Sequence, residues 1–170
     1  ILYIAEGGGL FAVAFDLKRH QVTGAPVRVL EGIASGLDHR GFSVSRNGTL
    51  VYHEGRSTLG DAPGNPTSLI LGNFNGKIDT LRLPQGRRLQ PRISPDGRLL
   101  AYEGMLRGGD AESDLFTFDL VTATIARLTF EGDNNTPVWS PDGKRIAFDK
   151  VEGEGVRHDL VLKPSDNSGP

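Results

Sequence analysis

The chain has 170 residues, 37% of them hydrophobic, which suits one domain with a packed core and argues against disorder. Glycine (23) and proline (10) together exceed average usage, so turns are frequent and a helix bundle is disfavoured. A net charge of −2 offers no basic field for nucleic acid, and the absence of cysteine removes disulfide, thiolate and zinc-thiolate chemistry.

In chain order, the first elements are short β-rich runs: ILYI from Ile1, LFAVAF from Leu10 and PVRVL from Pro26. The start lacks the basic region and cleavage site of a signal peptide, and no run approaches the roughly 20 apolar residues of a membrane span. Because the chain opens inside an apolar alternation and closes on turn residues, it reads as a piece of a longer one. Next come GFSVSRNGTLVY from Gly41, LILGNF from Leu69 and IDTLRL from Ile78. They are followed by QPRISPDGRLLAY from Gln90, DLFTFDL from Asp114 and IARLTF from Ile125, then TPVWSPDGKRIAF from Thr136 and DLVLK from Asp159.

Three of these strings are copies of one unit, with Ser45, Ser94 and Ser140 in register at spacings that match propeller blades and exclude leucine-rich or ankyrin repeats. Each holds an apolar run, an SxDG or SxNG turn and a second β-rich run, a hairpin signature in which Gly48, Gly97 and Gly143 supply positive φ. Four strands per unit predict an all-β propeller of four-stranded antiparallel blades, about three and a half in this chain. The expected boundaries are 1–36 for an incomplete first blade, 37–85 and 86–131 for complete ones, and 132–170 for a last blade lacking its fourth strand. Tyr102, Phe116, Phe118, Phe148 and Trp139 are expected between blades, with Trp139 in the core and not on a ligand platform.

The string PVWSPDGKRIAF from Pro137 resembles the PxWSPDGKxIAF hallmark of the bacterial TolB-like propeller repeats, also called WD-like or PD repeats. PRISPDGRLLAY departs at Ile93, and FSVSRNGTLVY at Arg46 and Asn47. The N-terminal stretch also resembles the propeller that follows the kinase domain in some bacterial serine/threonine kinases. The family resemblance implies a noncatalytic platform for protein association, periplasmic or extracytoplasmic, as in TolB, which contacts a peptidoglycan-associated lipoprotein and colicins. Related propellers gate substrate in prolyl-oligopeptidase-type serine peptidases, and a receptor-kinase sensor is a third reading.

No catalytic, cofactor or metal site is expected. A G-x-S-x-G elbow is missing, and GFSVS at Gly41–Ser45 lies in a repeated strand. His20, His39, His53 and His158 make no metal-ligating pair, and Asp96 and Asp142 occupy turn positions. Asp110, Glu112 and Asp114 alternate as calcium ligands sometimes do, but read as a solvated acidic loop. The sequons at Asn47 and Asn134 are expected to go unused.

An up-and-down sheet places the first and third turns of each blade at one end and the longer segments at the other. Residues 5–9, 31–41, 53–68, 84–90, 103–114, 131–135 and 149–159 hold 15 acidic and 7 basic residues, against 6 and 12 elsewhere. This long-loop face is therefore expected to be acidic and to meet a protein partner of unknown identity, with Glu152, Glu154, His158 and Asp159 as candidate contacts. Near the ring axis the candidates are Arg87, Arg88, Asn134 and Asn135, with capping of the innermost strands as their alternative role. Open edge strands at both ends are expected to permit self-association.

Overall fold

The structure is a computed structural model, and it describes residues 1–5, 7–33, 41–54, 68–73, 76–81, 83, 86–106, 112–153 and 157–168. All its regular elements are strands: β1 (Leu2–Ala5), β2 (Gly9–Ala12), β3 (Phe15–Asp16), β4 (Gln21–Val22), β5 (Val27–Leu30), β6 (Phe42–Val44), β7 (Leu50–His53), β8 (Leu69–Gly72), β9 (Ile78–Thr80), β10 (Gly86–Ile93), β11 (Leu99–Leu106), β12 (Asp114–Asp119), β13 (Ile125–Arg127), β14 (Asp133–Trp139), β15 (Arg145–Glu152) and β16 (Arg157–Pro164). Among the described residues no helix is long and apolar enough to cross a membrane.

Four antiparallel sheets follow one another, β1-β2-β5, β6-β7-β8-β9, β10-β11-β12-β13 and β14-β15-β16. Among the described residues, the first sheet has no strand inside β1, and the last has none outside β16. The run LFAVAF, expected as one strand, is divided. β2 ends at Ala12, the Val13 N–H donates back to the Ile1 carbonyl (2.9 Å), and Phe15 starts a separate hairpin, β3-β4.

The two middle sheets bury apolar side chains on both faces and the outer two on one, and the core is a series of layers between sheets. Leu10 of the first sheet and Ile33, just beyond it, pack with Tyr52 and Ile70 of the second. Val51 and Leu69 of the second pack with Leu100, Tyr102, Phe116 and Phe118 of the third. Ala101, Leu115 and Leu128 of the third pack with Ile146, Phe148, Trp139 and Val161 of the fourth. The period-2 alternation of a strand explains the sorting, since Val51 and Tyr52, or Ala101 and Tyr102, are neighbours that point into different layers. Trp139 is half-buried in the last layer, and its Nε1–H donates to the Arg92 carbonyl one sheet back (2.8 Å).

The innermost strands β6, β10 and β14 lie side by side. β10 and β14 run further towards their N-termini than the sequence indicates, each through a bulge, at Leu89–Arg92 and Asn135–Val138. Gln90 (φ 49°) and Thr136 (φ 51°) take the left-handed conformation at corresponding bulge positions. Pro91 and Pro137, next in sequence, are fully buried. A proline in an edge strand or bulge gives up no ladder hydrogen bond, so the break suggested by QPR and TPV is only a change of register.

Candidate partner-binding surface

One end of the molecule is built from three copies of the same turn. The Ser45, Ser94 and Ser140 hydroxyls donate to Asn47, Asp96 (2.5 Å) and Asp142 (2.6 Å), and accept from the amides of Thr49 (2.9 Å), Leu99 (2.9 Å) and Arg145 (3.0 Å). The Ser94 hydroxyl and the Arg98 amide hold the Asp96 carboxyl below its usual range, as the Ser140 hydroxyl and the Lys144 amide do for Asp142. Successive turns also touch. The Arg46 amide and Asn47 Nδ2 donate to the carbonyls of Pro95 (3.1 Å) and Asp96 (2.9 Å). Of the serines in GFSVS, Ser43 accepts from the Ile93 amide (3.0 Å) and Ser45 is buried in its turn, so both have structural work.

The other end carries most of the candidate contacts. Arg87 and Arg88 sit within β10, opposite Met105 and Gly104, and not in a connection between sheets. Asn134 is 1% exposed, with Nδ2 donating to the carbonyls of Glu131 (3.0 Å) and Gly132 (2.8 Å). That geometry is the capping role, and it leaves no amide surface for an outside ligand. Asn135 is half-buried and opposite Asp149 in the β14-β15 register. His158 is exposed, its Nδ1 2.9 Å from the Asp149 carboxylate. Glu154 lies outside the described residues.

Within the segments 103–114 and 149–159, expected as irregular loops, residues 103–106, 114, 149–152 and 157–159 are strand. β11 continues to Leu106, and β15 and β16 leave only residues 153–156 between them. Their acidic residues are mostly matched. Glu152 pairs with Lys150 (2.7 Å), Asp159 with Arg157 (3.0 Å), and Asp114 with Arg127 while accepting from the Thr129 hydroxyl (3.0 Å). The Glu152–Lys150 contact lowers the carboxyl and raises the ammonium. Glu103 is buried, accepting from the Ser113 hydroxyl (3.3 Å). These pairings place a cation beside several of the carboxylates of the face. Of the alternating carboxylates near residue 112, Asp110 lies outside the described residues and Asp114 is already engaged. No group of three or more His, Asp or Glu among the described residues is disposed to hold a metal.

Asp149 and Lys150 were not singled out by the sequence. Their signal is alternation, because residues two apart in a strand share a face, and 149–159 read as loop conceals it.

No protein-family model matches the chain. TolB of the Tol-Pal system from Francisella tularensis is 30% identical over 97 residues, 55% of this chain and 22% of that protein. The solved structure of a putative TolB from Agrobacterium tumefaciens superposes over 99% of this chain and 55% of its own, with a TM-score of 0.67 and 22% identity. The fold is that of a TolB-like β-propeller. Dipeptidyl-peptidase 5 from Porphyromonas endodontalis is 34% identical over 76 residues, 41% of this chain and 11% of that protein. The propeller thus spans 11–22% of the length of these two curated relatives.

Proposed function

We propose that this propeller is a noncatalytic, extracytoplasmic protein-recognition module that meets its partner through the end opposite the SxDG turns. The observation that carries the reading is the contrast between the two ends. At the turn end, hydroxyls, carboxylates and amides are spent on one another and on the adjacent blade. At the other end, His158 and the pairs Glu152–Lys150 and Asp159–Arg157 stand exposed or half-exposed, a charged rim that a protein partner can read. The likeness to TolB supports both the noncatalytic role and the compartment. Arg87, Arg88 and Asn135 extend the proposed surface; Asn134 is left out because it is buried.

The test uses the immobilised chain, envelope proteins as the source of partner, and a variant carrying Glu152→Gln, Glu154→Gln and Asp159→Asn. The expected result is a partner retained by the parent chain and bound more weakly by the variant, with a flatter dependence on salt. Equal affinity and equal salt slope would move the contact off this face. The likeness to dipeptidyl-peptidase 5 favours one second reading, a substrate-gating propeller of a serine peptidase. A G-x-S-x-G hydrolase domain encoded beyond residue 170 would select it.

A further inference from the structure

The layers between sheets are not filled alike, and the repeat shows what one of them lacks. On the faces turned to the preceding sheet, Leu50 with Gly72, Leu100 with Phe118, and Ile146 with Lys163 are corresponding register pairs. The Phe118 ring packs with Val51 and Leu69 of the second sheet, and Lys163 crosses the next layer to donate to the Leu128 carbonyl (2.9 Å). Gly72 puts nothing there. On the opposing faces the corresponding pairs are Leu2 with Ala12 and Val51 with Leu71. Ala12 thus stands where Leu71 packs against the Phe118 cluster one layer on. Relative to that layer, the one between the first and second sheets is short of a benzyl and an isopropyl group.

The backbone does not require the glycine. Gly72 ends β8, paired with Leu50 on one side and Ile78 on the other, and its φ lies outside the left-handed region. A Cβ built on it would meet only the Leu50 carbonyl oxygen, at 4.0 Å. Glycine in a strand forfeits packing, and it commonly marks a place where a ligand or another backbone comes close. No backbone comes close here. What Gly72 and Ala12 leave is a cavity of about 390 Å³, across which Leu10 and Leu30 face Leu50 and Ile78. Gly48 and Gly76 carry its lining to the turn end, and no charged side chain is part of it among the described residues. Asn73, the amide in the lining, has its Oδ1 accepting from the Lys77 amide (3.1 Å). Both small residues sit on the third strands of their blades, with β1 and β7 between them and the innermost position, so the gap is set within two sheets that face each other.

We propose that this cavity binds an uncharged aromatic molecule, whose ring takes the place that Phe118 fills one layer on. The walls set the chemistry, because they offer a charged ligand no counterion in exchange for its hydration. The missing benzyl group sets the shape. Apolar cavities of about 150 Å³ already admit benzene, so the volume holds one ring with substituents. The site lies at the turn end, away from the charged rim, and stands whether or not that rim meets a protein.

The test is a titration of the chain with toluene, followed by amide proton–nitrogen correlation spectra. Toluene should shift the amides of Ala12, Gly72 and Gly76 saturably and leave those of the third and fourth sheets in place. Benzoate, the same ring carrying a charge, should shift none of them. Gly72→Phe supplies the side chain of the next layer and should abolish the toluene shifts at Ala12 and Gly76, with circular dichroism and the urea midpoint confirming that it folds. Ala12→Leu fills the space from the facing sheet and replaces Gly72→Phe if that variant does not fold. Toluene shifts that are missing from these amides, benzoate binding as toluene does, or a folded variant that binds toluene like the parent would each overturn the proposal.

Discussion

Asn47 shows how a departure from the repeat can be structural. It accepts from the Ser45 hydroxyl and the Thr49 amide (3.2 Å), as Asp96 accepts from Ser94 and the Arg98 amide (3.1 Å). Its Nδ2 then does what no carboxylate can, donating to the Asp96 carbonyl of the next turn. The close approach is visible from the other side too, since a Cβ on Gly97 would fall 2.4 Å from the Asn47 amide, whereas one on Gly143 would meet only Pro95 Cδ at 3.6 Å. Asn47→Asp, which restores the repeat consensus, should therefore destabilise the propeller by about 1 kcal/mol, the lost bond being replaced by a carboxylate facing a carbonyl oxygen. Asp96→Asn keeps both acceptor contacts and should stay within about 0.5 kcal/mol of the parent. Urea unfolding midpoints of the two variants decide it, and a neutral Asn47→Asp would show that the interturn bond contributes nothing.

At the scale of the strand, the bulges in β10 and β14 carry a conformational cost. Left-handed backbone at a residue other than glycine costs roughly 1–2 kcal/mol, and a β-branched side chain such as Thr136 fits it poorly. The Thr136 side chain is exposed, so replacing it sacrifices no packing. Thr136→Asn should stabilise the protein by about 0.5–1 kcal/mol, seen as a higher urea midpoint with an unchanged slope. These bulges also mark where the sequence stops being readable. The SxDG turns are legible because their chemistry is local, a serine, an acid and a glycine within four residues. The full length of β10 and β14 is not, because Gln90–Pro91 and Thr136–Pro137 look like strand starts until the fold shows them on innermost edge strands. The same limit affects the surface: Lys150–Glu152 and Arg157–Asp159 become pairs only once 149–152 and 157–159 are known to be strand. Asn134 reads as a candidate contact because burial by a neighbouring turn leaves no mark in the string EGDNN.

For the whole molecule, burial is a property of neighbouring sheets more than of residue type. Leu115 and Leu160 share a residue type, a strand position and an alternation, and a single blade treats them alike. They differ because a fourth sheet covers Leu115, whereas no sheet among the described residues covers Leu160. Cutting Leu115 to alanine removes methyl groups from a filled layer between Ile146, Phe148 and Leu128, and should cost about 2–5 kcal/mol. The same cut at Leu160 in the isolated monomer removes atoms already in water and should cost under about 0.5 kcal/mol. Urea unfolding midpoints of the two variants check this, and equal penalties would show that the fourth sheet contributes nothing at Leu115. A one-dimensional array of sheets has this behaviour because each unit contributes its own stability plus a term for every neighbour it touches.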